Sequence, residues 1–341
     1  MNVPPPQTDT QPNNEEVIMP WDKALRFGAL TSAELSRLSI IPRKMIIGGF
    51  CFDGDLGFIF AARGVGKTWL GMFLAKCLAL GIKAKRWDVP AARRVLYIDG
   101  EMPPADVKSR DLLLGIPTGM LTYINHEILF ERTGKIINLA DPEFQQAVLD
   151  WCKETEQEVV FLDNLSTLAS GIDENKGMEW ESITPFLMKL RRAHITVIFI
   201  HHAGRNGQMR GHSKREDPSA WILRLDMPKD SLDENEGAHF ISRFTKWRNA
   251  TKCPSALEWM FRPKDSGIEI TVDDASSIDI FKQLIEQGVT SNKQISDEMG
   301  ISAAAVSKIA KRGVDEGWLK IEKNRYVLTG TGRTYSTHAD P

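Results

Sequence analysis

The segment Phe58–Leu70, FIFAARGVGKTWL, limits the possible folds more than any other part of the chain. An apolar run enters a loop with two glycines, then Lys67 and Thr68, then helix formers including Leu70, Met72, Leu74, Ala75 and Lys76. Strand, glycine loop and helix in this order are the setting of the G-x-x-x-x-G-K-[ST] motif. In that setting the N–H groups of Gly64 to Thr68 curl around a phosphate at a helix N-terminus. Lys67 neutralises phosphate charge, and the Thr68 hydroxyl joins the Mg²⁺ shell. The expected ligands are ATP and Mg²⁺, and the nucleotide-binding residues are Ala61, Ala62, Arg63, Gly64, Val65, Gly66, Lys67, Thr68 and Trp69. The motif's leading glycine is replaced by Ala61. Only a positive φ penalises a Cβ, so alanine serves there if its φ is negative.

The rest of the chain supplies the context. From about Leu56 to Val272 short apolar strands (Gly57–Phe60, Arg94–Ile98, Val159–Leu162, Ile195–Ile200) alternate with helical stretches (Lys67–Leu80, Pro142–Lys153, Trp180–His194). That alternation predicts an α/β fold with a mainly parallel sheet and helices on both faces. Four later segments, Ala220–Leu225, His239–Lys246, Ala256–Phe261 and Gly267–Val272, read as sheet extensions or an antiparallel edge. The expected organisation is a tail over 1–20, a helical segment over 21–41, an ATPase domain over 42–274, a small domain over 275–330 and a second tail over 331–341. In the helical segment, Thr31 or Ser32 is the expected cap before Glu34.

Two carboxylates sit where apolar strands end. VVFLDNLSTL delivers Asp163, suited to holding Mg²⁺ through water. VLYIDGEMP delivers Glu101, suited to orienting a water against a γ-phosphate. Each has a plainer reading, Asp163 as a turn or helix cap and Glu101 as part of a solvated loop. Ligands collect at the carboxyl ends of strands in open α/β sheets, so loop, Glu and Asp in this order are more specific together than singly.

Over roughly Pro42–Val272 the chain resembles the RecA-like ATPases, nearest the RepA-type plasmid and phage helicases related to the DnaB-type replicative helicases. The resemblance implies that Glu101 is the catalytic base, Asp163 the Walker B carboxylate and His202, in IFIHHAGRNGQMRG, the γ-phosphate sensor. His201 is the competing neighbour, and a structural role for both histidines stays open. A K-x-R-N element matches KWRN, which implies that Lys246 and Arg248 reach a neighbouring subunit's nucleotide. Arg224 in WILRL competes for that role, and exposed basic residues on an edge strand are the plain alternative. Trans cations require a homo-oligomer, by resemblance a hexameric ring. The loop GRNGQMRGHSKRED would face a central channel, with Arg205, Arg210, Lys214 and Arg215 on single-stranded DNA. It holds no aromatic residue for base stacking.

After Asp274 the pattern changes. NKQISDEMGISAAAVSKIAKRGVDEGWL resembles a winged helix-turn-helix: Ile295 and Met299 pack inward, Gly300 turns, and Ser302 caps a helix whose inner stripe is Val306, Ile309 and Ala310. Ser307, Lys308, Lys311 and Arg312 are its candidate DNA contacts. GWLKIEKNRYVLTG would be the wing hairpin, with Asn324 and Arg325 near its tip. With 43 Lys and Arg against 45 Asp and Glu, the net charge is −2, so any nucleic-acid surface must be local. The four cysteines, Cys51, Cys77, Cys152 and Cys253, are scattered, which fits reduced thiols in a cytoplasmic protein and argues against zinc. The apolar runs are too short to span a bilayer. The functions left standing are a DNA helicase or replication motor, an ATP-switched DNA-binding regulator without unwinding activity, and an ATP-binding module with a protein partner.

Overall fold

A computed structural model describes residues 19–115, 117–169, 182–203, 218–228, 237–250 and 253–329. The chain divides into two units, Met1–Pro42 and Arg43–Pro341. In the first, helix α1 (Trp21–Gly28) is followed by α2 (Ser32–Arg37). Thr31 caps α2 through a reciprocal capping box with Glu34, satisfying two otherwise orphaned backbone donors.

The second unit is built on a nine-stranded sheet with the order β11-β10-β9-β8-β3-β7-β6-β4-β5. A short hairpin, β1 (Met45–Ile47) and β2 (Cys51–Phe52), precedes it. The central strands are β3 (Leu56–Ala61), β4 (Val95–Asp99), β6 (Val159–Asp163) and β7 (Thr196–His202), all buried throughout their length. They are mutually parallel and covered on both faces, which is why they read as unbroken apolar runs. Helix α3 (Lys67–Leu80) packs on one face. Helices α6 (Pro142–Glu154), α7 (Leu165–Leu168) and α8 (Thr184–Arg192) pack on the other.

Strand β8 (Trp221–Asp226) continues the parallel set beside β3. Strands β9 (Ala238–Trp247), β10 (Leu257–Lys264) and β11 (Gly267–Asp274) then extend the sheet from β8, each antiparallel to the strand before it. Beyond the sequence expectation lie the short α7 and, at one end of the sheet, α4 (Pro104–Leu113), β5 (Leu121–Asn125) and α5 (His126–Thr133). Strand β5 is a half-exposed edge strand, α4 buries only Val107, and α5 buries no residue, so none carries a strong apolar period. A buried Lys76 of α3 holds this edge by pairing with Asp111 of α4 at 2.7 Å, and Tyr123 of β5 donates to the same carboxylate at 2.9 Å.

The C-terminal part comprises α9 (Ser277–Glu286), α10 (Asn292–Met299), α11 (Ala303–Asp315) and the hairpin β12 (Leu319–Glu322) with β13 (Arg325–Leu328). Ser276, Ser291 and Ser302 cap the three helices, and Gly300 ends α10 in the left-handed region. The hairpin turns at Lys323 and Asn324, both at positive φ. Phe281, Leu284, Ile295, Val306, Ala310, Leu319 and Tyr326 form its core, and Ile241 of β9 belongs to the same cluster. No helix among the described residues is long and apolar enough to cross a membrane.

Candidate functional site

The loop between β3 and α3 holds the phosphate-binding signature. Gly64 has φ 78° and Gly66 φ 113°, and Gly66 is the N-cap of α3. A Cβ on Gly66 would lie 2.7 Å from the Ala238 Cβ, so both conformation and space demand glycine there. Ala61 ends β3 and is absent from the residues with positive φ, so alanine is unstrained where the motif has its first glycine. Helix α3 lies close against the sheet at Gly71, where a Cβ would meet the Ile200 Cδ1 at 2.3 Å. That close approach aims the helix N-terminus at the strand ends.

Lys67 is buried, and its ammonium donates to the Ala62 carbonyl at 2.8 Å. Burial lowers its pKa to about 8, while Asp163 and Glu101 work against the shift. Asp163 closes β6 at 2% exposure. Its carboxylate accepts from the Tyr97 hydroxyl at 2.7 Å and from the Thr68 hydroxyl. Burial pushes its pKa up to about 6, with the Asp99 charge adding to the rise and both hydroxyls opposing it. Thr68 and Asp163 thus place two oxygens side by side below the loop, and a buried carboxylate short of compensating charge is a fitting site for a divalent cation.

Register brings the remaining groups into line. Asp99 pairs with Asp163 across β4 and β6, Asp163 with Ile200 across β6 and β7, and Ala61 with His202 across β3 and β7. Asp99, fully buried, accepts the backbone N–H groups of Glu101 and Met102 at 3.1 and 3.2 Å and the Asn125 amide at 2.8 Å. It shapes the turn that carries Glu101. The Gly100 N–H donates to the Asp163 carbonyl at 2.7 Å and ties that turn to the end of β6. The Glu101 side chain remains half exposed, 3.7 Å from the His202 Nε2. Its pKa is held below the ordinary value, chiefly by His202 and further by Asn164 and Lys67. His202 is 8% exposed and lies at the site, whereas His201 is fully buried in the preceding position.

The structure therefore gathers the phosphate loop, Lys67, Thr68, Glu101, Asp163 and His202 at one edge of the sheet. Sequence reasoning missed Tyr97, Asp99, Asn125 and Asn164. The signal for Asn164 was its place directly after Asp163. Tyr97 lies two residues before Asp99 on β4 and stacks on its cross-strand partner Phe161, with ring centres 5.5 Å apart.

Lys246 and Arg248 are elsewhere. Lys246 pairs with Ile222, and the Arg248 N–H donates to the Ala220 carbonyl, level with the start of β3. Ala61 at the other end of that strand is about 17 Å away at the usual rise per residue. Asn249 of the same KWRN segment fixes this position, donating to Asp55 at 2.5 Å and to the Phe50 carbonyl at 3.1 Å. Arg224 is nearer the loop but engaged: it donates to Asp226 at 2.7 Å and to Gln287 at 2.7 Å, and lies 6.0 Å from the Phe60 ring centre. Arg205, Arg210, Lys214 and Arg215 lie outside the described residues. Ser307, Lys308, Lys311 and Arg312 are exposed on α11, with Arg312 pairing to Glu316 at 2.6 Å.

The C-terminal bundle adjoins the phosphate loop of its own chain. A cavity of about 390 Å³ is bounded by Ala62, Arg63 and Ala203 on one side and by Gln283 and Gln287 of α9 on the other. Below it, buried Asp226 accepts from Arg224 and from Arg243 at 2.9 Å, and Arg243 pairs onward with Glu298 of α10 at 2.7 Å. This polar chain fastens the bundle to β8 and β9.

A family model described as an AAA domain, AAA_25, matches residues 22–208. Among solved structures, the flagellar accessory protein FlaH from Methanocaldococcus jannaschii is similar over 65% of this chain and 91% of its own, at 16% identity and a TM-score of 0.42. The KaiC-like protein PH0186 from Pyrococcus horikoshii OT3 is similar over 68% of this chain and 100% of its own, at 14% identity and a TM-score of 0.46. No curated protein sequence matches the chain. The match spans more than half of the residues, and with the loop geometry above it places the chain in the AAA domain family, with a P-loop ATPase domain as its core.

Proposed function

We propose that the chain is a Mg²⁺-dependent ATPase acting on DNA, an oligomeric helicase or replication motor of the RepA-like type. The observation that carries the ATPase part is the meeting of Lys67, Thr68, Asp163, Glu101 and His202 at the carboxyl ends of adjacent strands. Lys67 would leave the Ala62 carbonyl for the β- and γ-phosphates, and Thr68 and Asp163 would hold Mg²⁺. The metal would spread the charge of the triphosphate. A water attacks the γ-phosphorus and gives its proton to Glu101, while the bond to the β,γ-bridging oxygen breaks, releasing ADP and phosphate. His202 would face the γ-phosphate end.

Trans action by Lys246 and Arg248 is supported by their place level with the amino-terminal part of β3, away from the chain's own loop, as a role at a neighbour's nucleotide requires. A ring of such subunits, with the ATPase domain over 42–274, follows from that reading. The serine-capped helices α10 and α11, the turn at Gly300 and the hairpin β12–β13 support a winged helix-turn-helix over 275–330. The exposed Lys308, Lys311 and Arg312 give it a basic face for DNA. A second reading, an ATP-switched DNA-binding regulator, is favoured by the chain Arg224–Asp226–Arg243–Glu298, which fastens that unit beside the phosphate loop.

The test is ATP turnover with and without single-stranded DNA, the mass of the oligomer, and unwinding of a forked duplex. DNA-stimulated turnover with unwinding is expected of the motor. Turnover and assembly without unwinding would establish the regulator, and absence of turnover would overturn both.

A further inference from the structure

Asn164 follows the Walker-type Asp163 and takes part in two separate arrangements. Its backbone position makes it the N-cap of α7. The first N–H groups of a helix lack intrahelical acceptors, and here the Asn164 Oδ1 accepts from the Thr167 N–H at 3.2 Å. This bond decides the orientation of the carboxamide. With the oxygen turned to the helix, the amino group must point the other way. There it donates to the Glu101 Oε2 and lies 3.0 Å from the His202 Nε2. Glu101 and His202 stand 3.7 Å apart, beyond hydrogen-bond distance, so the Asn164 amide joins them. Asn164 is 1% exposed, so both polar ends of its amide are satisfied within the protein.

The Glu101 turn is fixed from its other end as well. The Gly100 N–H holds the Asp163 carbonyl, and a Cβ on Gly100 would meet Leu168 of α7 at 2.6 Å. The backbone on both sides of the contact is thus set, and the Glu101 carboxylate is the part with freedom to turn. We propose that Asn164 is the positioning residue that sets the Glu101 carboxylate relative to His202, using the α7 cap to fix its own amide. This rests on the reading of Glu101 as the base. The role is indirect: Asn164 acts through the Glu101 carboxylate and takes no proton itself.

Asn164→Asp and Asn164→Ser decide the matter together, because both retain a capping oxygen for Thr167 and neither has the amide N–H that reaches Glu101. Each is expected to bind a fluorescent ATP analogue within about twofold of the wild type while kcat falls about 10- to 100-fold. A helix defect would instead lower binding and turnover together. A second readout needs no turnover: the side-chain amide protons of Asn164, assigned by their loss in Asn164→Ser. In the wild type one of them is expected downfield of ordinary asparagine amides, and Glu101→Gln is expected to move it upfield. An amide resonance unmoved by Glu101→Gln, or undiminished kcat in both Asn164 variants, overturns the proposal. A wild type that shows the resonance shift but no ATP turnover removes the ATPase reading and leaves the positioning contact in place.

Discussion

Replacing Asp163 by asparagine should stabilise the metal-free protein even as it removes the carboxylate proposed to hold Mg²⁺. Asp163 is 2% exposed, and its ionised form has two hydroxyl donors, Tyr97 and Thr68, but also Asp99 beside it on the next strand. Burial lifts its pKa from an ordinary 3.8 to about 6. At neutral pH the folded state therefore carries an ionised carboxylate at a cost of about 3 kcal/mol, at 1.36 kcal/mol per unit. The sign follows from proton counting. Between the unfolded and folded values the native state binds more protons, so stability contributed by this group is full at low pH and is lost as pH rises through about 6. Asparagine is nearly isosteric and still accepts from Tyr97, but it cannot ionise. The stability advantage of Asp163→Asn should grow by about 2 kcal/mol between about pH 4.5 and 7.5. Urea unfolding at both pH values, with chelator present, measures it. A difference that stays constant across that range would refute the argument, because only titration makes it depend on pH. Adding Mg²⁺ and ATP should then favour the wild type, by about 2.7 kcal/mol at a hundredfold excess over Kd.

Lys67→Ala should abolish nucleotide binding, measured by equilibrium titration. In the wild type the free Lys67 pKa of about 8 predicts that binding takes up a proton above that pH, so Kd should rise as pH increases past about 8. Glu101→Gln should keep binding and lose turnover by about 10²- to 10⁴-fold, checked by single-turnover hydrolysis. Subunits carrying Arg248→Ala mixed with subunits carrying Lys67→Ala should regain activity at interfaces that combine two intact halves; mixtures as inactive as their parents count against trans action. Arg243→Met removes one of the two cations on buried Asp226, leaving Arg224, and should cost about 1.5–3 kcal/mol in urea unfolding.

The sequence by itself determined the α/β class, the phosphate loop and the strand-end carboxylates. Continuous apolar strands such as VVFLD and the GKT turn are local patterns, and local patterns survive translation into structure. It also held the helix caps at Thr31 and Ser302, each acting within three residues. What only the tertiary structure decided depends on distances across the sheet. The edge elements α4, β5 and α5 have weak periods because they bury little, and a contact such as Lys76 with Asp111 has no signature along the chain. Register alone sets Asp99 beside Asp163, and places Lys246 and Arg248 at the far edge from the loop. Asn164 shows the division most plainly. The sequence offered Asp163 as a cap, whereas Asn164 caps α7, and its amide reaches Glu101 and His202 only because β4, β6 and β7 lie side by side.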